Sequence, residues 1–529
     1  MSAAPAPAAS SPPPIPWLGI VAVLLGTVIS TLDSRLSSLG LTDIRGALHA
    51  GFDEGAWITT AQTAAQMVVA PLAVYLSSLY GPRRCLIEAA LAFGIVSILE
   101  PFSPNLPTLL VLQVVAGLAS GFFVPLTLSF ILKSIPPRMW AYGVAVYALN
   151  LEVSLNVSAS LEGFYADYLS WRMIFWQNVP LAFGMAACLL WGVKPDLPQP
   201  RHLRPDWYGI ATGGVGLGLI YAALDQGNRL DWTSSPLVWA LMLAGVVLMV
   251  GFIIEELRSD HPAVNLRAVL CAPMPRILLL MGFLRTTLLA TSFTIPQFLQ
   301  GVRGFRALEV GQTLIWIALP QLGLCALAGY SMRRLDPRFV ASVGFICIGV
   351  ACLMVAHGLT PLWGSDQFLP SALLQAVGQS FALSGCVFFA VLHLDPRDAL
   401  TFGAAMQTAR LMGGEIGLAF ITTFTRVREQ VASNQLGQHI RIGDVAVQQR
   451  IAAYAAAAHA GDPVSVAAKG AALLGTAVRS AATTQAIVDT FVILAVATAV
   501  TVIIVVTRRA APEGPASPVR LFGPREAKS

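Results

Sequence analysis

The sequence predicts an all-helical integral membrane protein with fourteen transmembrane helices, and two observations carry this prediction. The chain has 529 residues, of which 56% are hydrophobic and only 12% charged, and its mean hydropathy is +0.69. Soluble globular proteins carry about 25% charged residues, so this chain lacks the polar surface needed to face water on all sides. The second observation is a series of apolar runs, each long enough for a helix to cross a bilayer.

The apolar runs have the length of helices rather than of barrel strands, and a helix satisfies its own backbone in lipid. They occupy residues 17–41, 54–77, 85–102, 107–132, 141–164, 173–193, 208–226, 235–256, 276–299, 309–332, 338–357, 367–392, 401–424 and 484–507. Residues 1–16 are expected to form a disordered cytoplasmic tail. Residues 508–529 are expected to form a second cytoplasmic tail.

The charges of the short loops predict the orientation. With a cytoplasmic N-terminus, most basic residues of these loops fall on the cytoplasmic side, among them Arg83, Arg84, Arg333 and Arg334. This is the bias that the positive-inside rule describes, so both termini are expected inside. The long segment 425–483 then lies outside. It is rich in alanine, and either a helical hairpin or an irregular connector fits it.

Several function classes are excluded by what the sequence lacks. The balance of 33 Lys+Arg against 28 Asp+Glu is too mild for a nucleic-acid-binding surface. The seven cysteines form no CxxC pair, and the histidines have no metal-site spacing. No phosphate-binding loop is found either. We therefore expect no enzyme, no metal and no cofactor.

Four stretches of the sequence resemble one transporter family. They are LEGFYADYLSWRMIFWQNVP (161–180), ALDQGNRLDW (223–232), IPQFLQGVRGFRALEVGQTLIWIALP (295–320) with RRLDPRFV (333–340), and MQTARLMGGEIGLAF (406–420). Together with the span count and the long last outer segment, they resemble the 14-span drug–proton antiporters of the major facilitator superfamily, the EmrB/QacA type. The resemblance covers most of residues 17–507.

The resemblance implies an architecture and a function. Two six-helix bundles, 17–193 and 276–507, would be separated by a linker, 194–275, that carries two additional helices. A substrate site near the bilayer midplane would open alternately to each side. The implied activity is proton-coupled export of hydrophobic or amphipathic small molecules, as in multidrug efflux, across a bacterial inner membrane. A periplasmic adaptor and an outer-membrane channel are implied partners, with 425–483 as the docking element.

Two departures from the family pattern keep alternatives open. Ser78 stands where the family has an acidic residue before Gly81, and Gln113 stands where span four has an arginine. Proton coupling could therefore be altered, which leaves facilitated diffusion as one alternative. Another is export of one defined anionic metabolite, such as an organic acid or a siderophore. A membrane-embedded enzyme or sensor is the alternative from another class, and no motif supports it.

Acidic residues inside the predicted spans are the candidates for proton coupling: Asp33, Glu152 and Glu162. A charge at the bilayer centre costs at least ~2.5–3.5 kcal/mol, so each needs a reason. Asp33 lies in STLDSRLSSLGL, which resembles the first-span motif of the family. In a dry cavity its carboxyl group would favour the protonated form, and it would carry a proton between the two sides. The alternative is a structural carboxylate that neighbouring helices hydrogen-bond.

Arg35 follows Asp33 by two residues, which is about 200° around a helix, so the two side chains cannot share a face. We expect Arg35 to point into its own bundle and to pair with Glu152 or Glu162. The alternative is that it faces the cavity and meets an anionic substrate.

The candidates for substrate binding are the remaining polar residues of the spans. They are Arg35, Gln62, Gln66, Arg285, Gln379, Arg410 and Glu415. The glutamines form polar stripes that suit a solute path or interhelical hydrogen bonds equally. Arg285 either lines the path or forms an ion pair, and Arg410 caps or pairs within its bundle or meets the substrate. Glu415 would attract cationic, lipophilic compounds.

Overall fold

The computed structural model describes residues 16–195, 206–259, 264, 266–270, 274–394, 399–441, 443–457 and 463–507. Within these ranges all regular secondary structure is helical, and no strand occurs. The predicted tails at 1–16 and 508–529 lie outside the described residues, apart from Pro16.

Residues 16–195 form ten α-helices and two short 3-10 turns. The helices are α1 (Trp17–Leu39), α2 (Leu41–Ala47), α3 (Phe52–Gly55), α4 (Trp57–Tyr80), α5 (Pro82–Leu99), α6 (Leu106–Ser120), α7 (Phe123–Ser134), α8 (Trp140–Tyr168), α9 (Met173–Trp176) and α10 (Asn178–Gly192). The 3-10 turns are Glu100–Phe102 and Pro137–Met139.

Ten further α-helices lie in the other described ranges. They are α11 (Trp207–Leu230), α12 (Pro236–Arg258), α13 (Leu266–Leu270), α14 (Met274–Gly301), α15 (Ala307–Arg334), α16 (Pro337–Gly358), α17 (Ser365–Leu392), α18 (Ala399–Gly437), α19 (Val445–Ala457) and α20 (Pro463–Val506).

Thirteen helical stretches in the described ranges are long and apolar enough to cross a membrane. They coincide with thirteen of the fourteen predicted spans. The remaining predicted span, 401–424, lies within α18, which is helical but less apolar because it carries Gln407, Arg410 and Glu415. The chain is therefore a multi-pass membrane protein, and its most polar span holds two of the predicted site residues.

The turn between α4 and α5 depends on one glycine. Gly81 has φ of 86°, a conformation in which a side chain would be strained. It ends α4, and Pro82 begins α5 directly after it. From this turn Arg83 donates to the carbonyl groups of Leu189 and Leu190, at 3.2 and 3.1 Å, near the end of α10. The turn thus fixes α5 against α10.

Two groups of helices pack around separate cores. Helices α1, α4–α8 and α10 contact one another and are called the N-terminal bundle below, and α14–α18 with α20 form the C-terminal bundle. Small residues let the helices approach closely. A Cβ atom added to Gly117 of α6 would lie 2.2 Å from the carbonyl oxygen of Gln62, and one added to Gly413 of α18 would lie 2.4 Å from the Cα of Gly282.

The two bundles meet along α8 and α15, and also through α7 and α18. In the second contact a Cβ atom on Gly403 would lie 2.3 Å from the carbonyl oxygen of Pro125, so the two backbones touch. Helix α11 packs against α4 and α18, one from each bundle, and α12 packs mainly on α11. The inserted helix α11 therefore covers one side of the boundary between the bundles.

Helices α18 and α20 are longer than a membrane requires. They have 39 and 44 residues, which at ~1.5 Å per residue is about 58 and 66 Å, against a hydrocarbon core of ~30 Å. Their extensions and α19 form a helical projection, which α20 and α19 hold by mutual contacts. The described part of 425–483 is therefore helical apart from residues 438–441 and 443–444, in agreement with the hairpin alternative and not with an irregular connector.

Candidate functional site

A cavity of about 110 Å³ lies between the two bundles. Its walls come from α1 and α4 of the N-terminal bundle, α14 and α18 of the C-terminal bundle, and the inserted α11. The lining residues are Ser30, Thr31, Ser34, Arg35, Ser38, Thr59, Thr63, Gln66, Tyr221, Asp225, Arg285, Leu289, Arg410, Leu411, Glu415 and Leu418. Most of these side chains are polar or charged.

The cavity runs from the middle of the spans toward one face. Along α1 it is lined from Ser30 to the exposed Ser38, and along α18 from Arg410 to Leu418. It therefore extends toward the face from which the helical projection rises. Toward the other face, α7 and α18 are in backbone contact at Gly403. The cavity thus reaches one side of the molecule and is obstructed on the other.

A layer of buried charges forms the inner end of the cavity. Arg285 of α14 donates through Nη1 to Oε1 of Glu152 on α8, at 3.3 Å, and so links the two bundles. Arg410 donates through Nε to Oε1 of Gln407 on its own helix, at 3.0 Å. Arg285 therefore both lines the path and forms an ion pair, and Arg410 lines the path while its side chain is held within its own helix.

A second, apolar void of about 20 Å³ lies beyond this layer. It shares Arg285 and Arg410 with the first cavity, and its other lining residues are Tyr147, Leu151, Met281, Leu284, Leu383, Val387 and Met406. The two guanidinium groups thus separate a polar space from an apolar one.

Arg35 lines the cavity, and the predicted ion pair with Glu152 or Glu162 is wrong. Within the described part of the chain Arg35 forms no ion pair with either acid. The partner of Glu152 is Arg285. The Nε atom of Arg35 is buried without a hydrogen-bond partner among the described residues. Helical periodicity gives the angle between Asp33 and Arg35 but not the rotation of α1 about its own axis. The sequence analysis therefore placed Asp33 in the cavity and Arg35 in the bundle interior, and the structure has the opposite arrangement.

Asp33 lies inside the N-terminal bundle rather than in the cavity. It is 1% exposed, and it accepts hydrogen bonds from the side-chain amides of Gln62 on α4 and Asn178 on α10, the latter at 2.6 Å. This is the arrangement of the structural alternative. Gln62 therefore forms an interhelical hydrogen bond to Asp33, one of the two roles that the glutamine stripes suit, and it does not line the cavity.

A second buried acid, Glu100, lies beside Asp33. It is 1% exposed, and its Oε1 accepts a hydrogen bond from Nε2 of Gln113 at 3.0 Å. The other oxygen, Oε2, has no partner within the ranges described. Glu100 and Asp33 are close enough for their charges to interact. We call Asp33, Glu100, Gln62, Gln113 and Asn178 the buried acid cluster. The sequence missed Glu100 because it stands at the end of an apolar run, beside Pro101.

The other predicted residues divide between the cavity and the bundle contacts. Gln66 lines the cavity and donates to Oγ of Ser120 at 3.0 Å. The Oε1 atom of Gln379 accepts from Nδ2 of Asn156 at 2.9 Å and from Nε2 of Gln321 at 3.0 Å, so it joins α8, α15 and α17. Gln379 therefore contributes to the contact between the bundles.

Glu162 is not brought to the other site residues. It follows Glu152 by ten positions on α8, which is about 15 Å along the helix. It is 3% exposed, and its Oε2 has no hydrogen-bond partner in the described ranges.

Helix α11 contributes two cavity residues that the sequence did not suggest. Asp225 accepts hydrogen bonds from the Thr60 hydroxyl and from Nε2 of Gln226, the latter at 3.0 Å. Tyr221 forms a side-chain hydrogen bond with Glu415. Glu415 in turn lies close enough to Asp225 for the two carboxylates to repel each other. The stretch ALDQGNRLDW (223–232), which contains Asp225, resembles the turn between two spans of the family, whereas α11 continues to Leu230. Tyr221 lies before this stretch, inside the predicted span 208–226, and nothing in its spacing marked it as a site residue.

Two bundles around a central cavity, with inserted helices between them, define a transporter of the alternating-access type. The sequence profile of the Major Facilitator Superfamily matches residues 23–418, and the chain belongs to this family of membrane transporters. The predicted fold class is thereby confirmed.

The chain is similar in sequence to two curated relatives and in fold to one solved structure. The chain is 26% identical over 425 residues to the multidrug export protein EmrB of Escherichia coli K12, covering 79% of this chain and 82% of EmrB. It is 24% identical over 427 residues to the fatty acid resistance protein FarB of Neisseria gonorrhoeae, with the same coverage of 79% and 82%. The proton:xylose symporter XylE shares the fold, with a TM-score of 0.54 at 11% identity, over 78% of this chain and 90% of XylE. The predicted resemblance to the EmrB type is confirmed by these relatives.

Proposed function

We propose that this protein exports hydrophobic or amphipathic small molecules by proton-coupled alternating access. The observation that carries the proposal is the cavity between the bundles, which reaches one face and ends at a buried layer of charged residues. The names of the relatives EmrB and FarB, a multidrug exporter and a fatty acid resistance protein, support an efflux activity.

In this proposal the Glu152–Arg285 ion pair and the Asn156–Gln379 hydrogen bond hold the bundles together in the present state. Opening the other side requires the bundles to separate at Gly403 and Pro125 and to close over the cavity. The apolar void beyond the arginines is the beginning of the second half of the path. The substrate then meets the layer of buried charges from alternate sides.

Asp33 is the proposed proton-coupling residue. Its carboxyl group is held by the neutral amides of Gln62 and Asn178, so a small movement of α1 against α4 and α10 would break these hydrogen bonds and change its protonation. Glu152 is a second proposed proton site, because losing Arg285 as its partner would leave it buried and charged. Glu162 has no contact that connects it to this route among the described residues, and its role stays a prediction.

The proposed substrate contacts are the cavity residues among the original candidates: Arg35, Gln66, Arg285, Arg410 and Glu415. Gln62 and Gln379 would act indirectly, the first through Asp33 and the second through the contact between the bundles. We retain 17–193 and 276–507 as the two transport bundles and 194–275 as the linker.

The proposed location is a bacterial inner membrane with both termini in the cytoplasm, for which the bacterial relatives and the loop charges give support. The helical projection then faces the periplasm, where an adaptor that leads to an outer-membrane channel would dock. Replacing residues 438–470 by a short Gly/Ser linker should abolish co-purification of a co-expressed periplasmic adaptor but leave export into the periplasm intact. Unchanged co-purification would contradict the docking proposal.

An accumulation assay tests export itself. Cells that lack the gene should accumulate more ethidium and more aromatic organic acid than cells that express it, and an uncoupler should remove the difference. Equal accumulation for every compound of the panel, with the protein present in the membrane, would contradict export. A difference that survives the uncoupler would instead contradict proton coupling.

Asp33→Asn tests the coupling assignment. Purified wild-type protein should release protons when substrate is added, and Asp33→Asn should release roughly tenfold fewer, because its side chain cannot ionise. The matched control is Asp366→Asn, an exposed residue in the first turn of α17. Unchanged proton release by Asp33→Asn would show that another group carries the proton.

A further inference from the structure

We infer that the cavity binds amphipathic anions, with the acidic group of the substrate held by Arg35, Arg285 and Arg410. This inference rests on the proposed function and narrows its substrate class.

Three arginines give the cavity its positive charge. Arg35, Arg285 and Arg410 all line it, and they are close enough for Arg285 to act electrostatically on both of the others. Among the residues described, the one acid that forms an ion pair with any of them is Glu152, which binds Arg285. Three guanidinium groups thus share one carboxylate. Buried charge is costly unless it is paired, so the space that these arginines line favours an anion.

Arg35 and Arg410 have hydrogen-bond donors available for an anion. A guanidinium group has five N–H donors and binds carboxylates in a fixed, forked geometry. The Nε atom of Arg35 is buried and donates to no described residue, and Arg410 uses Nε for the neutral Gln407. Donors on α1 of one bundle and α18 of the other therefore face the same space. An acidic group bound between them would link the bundles from within.

Two acids line the same cavity. Asp225 is bound by Thr60 and Gln226, and Glu415 by Tyr221, and in the described part of the protein neither forms an ion pair with the three arginines. The two acids are therefore held by neutral groups and do not neutralise the three arginines, although they line the same cavity from α11 and α18. An anion at the acidic wall would be repelled, which restricts its acidic group to the arginines.

The apolar void beside the arginines suits the hydrophobic part of a substrate. The void beyond Arg285 and Arg410 is lined by Leu151, Met281, Leu284 and other apolar side chains. A molecule whose acidic group binds the arginines can extend an apolar part into this void when it widens. This combination selects molecules that have both an acidic group and a hydrophobic body.

Three probes with one aromatic body test the inference: 1-naphthoate, 1-naphthamide and 1-naphthylmethylammonium. Their binding to the purified full-length protein is measured by isothermal titration calorimetry, without any need for transport. We expect 1-naphthoate to bind about tenfold or more tightly than the amide, because it gains charged hydrogen bonds. Equal or tighter binding of the amide or the ammonium, or no binding of 1-naphthoate, would overturn the inference.

Variants locate the effect. Arg35→Gln and Arg410→Gln should each weaken 1-naphthoate binding by about tenfold and change 1-naphthamide binding by less than about twofold. Arg35→Lys should retain part of the preference, and Arg276→Gln, an exposed arginine on α14, should retain all of it. A preference unchanged in both cavity variants would overturn the assignment. Export of ethidium in the accumulation assay, without any preference for the naphthoate, would refute this inference while leaving the proposed function intact.

Discussion

The buried acid cluster and the cavity are neighbours on α1, yet they hold charge in opposite ways. In the cluster, two acids are surrounded by the amides of Gln62, Gln113 and Asn178. At the inner end of the cavity, arginines outnumber their acidic partner. Neutral amides stabilise a carboxylate but also tolerate its protonated form, whereas an unpaired guanidinium needs an anion. The difference separates a site suited to protons from a site suited to solutes.

Arg285→Gln should have the largest effect on this contrast, because it leaves Glu152 buried without a cation. Removing one partner of a buried ion pair costs about 3–5 kcal/mol, so we expect the free energy of unfolding to fall by that amount. It is measured by titration with SDS in mixed micelles.

The double variant Glu152→Gln/Arg285→Gln removes both charges and should recover most of the loss. Arg276→Gln on the same helix is exposed and should change little. A single variant as stable as the wild type would mean that the layer between the two cavities is already hydrated.

Asn178→Ala and Gln62→Ala should come next. Each removes one hydrogen bond to the Asp33 carboxylate, and a bond to a charged group contributes about 1.5–3 kcal/mol. We expect the unfolding free energy to fall by this amount and substrate-induced proton release to change, while the affinity for 1-naphthoate stays within about twofold.

Gln300→Ala, an exposed glutamine near the end of α14, is the matched control. A loss of 1-naphthoate affinity in the Asn178 or Gln62 variants would show that the cluster and the cavity are one site rather than two.

Glu415→Gln should have the smallest effect and the opposite sign. It removes a negative charge from the cavity wall, so 1-naphthoate should bind about two- to fivefold more tightly and 1-naphthylmethylammonium correspondingly less tightly. Calorimetry on the purified protein measures both. Glu429→Gln, farther along α18 and outside the cavity lining, should leave both affinities unchanged. Weaker 1-naphthoate binding in Glu415→Gln would contradict the repulsion between Glu415 and the bound anion.

The sequence predicted the spans well because an apolar run and its length are local properties. The fold class followed from these runs together with the family resemblance. The orientation of side chains is not local. The angle of about 200° between Asp33 and Arg35 was predictable, but the rotation of α1 depends on contacts with α4, α10 and the second bundle. This is why Arg35 was assigned to the bundle interior and Asp33 to the cavity.

The residues that the sequence missed have a common cause. Glu100 stands near the end of the predicted span 85–102 and Asp225 near the end of 208–226, so both were read as boundaries of spans. A signal for Asp225 was present, since helical spacing places it one turn after Tyr221 on the same face. For Glu100, burial arises from helices that are distant in sequence, such as α6 with Gln113. Only the packed structure brings these groups together.

The length of α18 has a mechanical consequence. One unbroken helix carries Arg410 and Glu415 at the cavity and then continues far past the bilayer to Gly437. Any tilt of this helix during the transport cycle must swing its distal end sideways, by a distance that grows with the length of the lever. A fluorophore near residue 436 would therefore report small rearrangements around the arginines as larger displacements. A protein bound to this end of α18 would be displaced each time the cavity opens to the other side of the membrane.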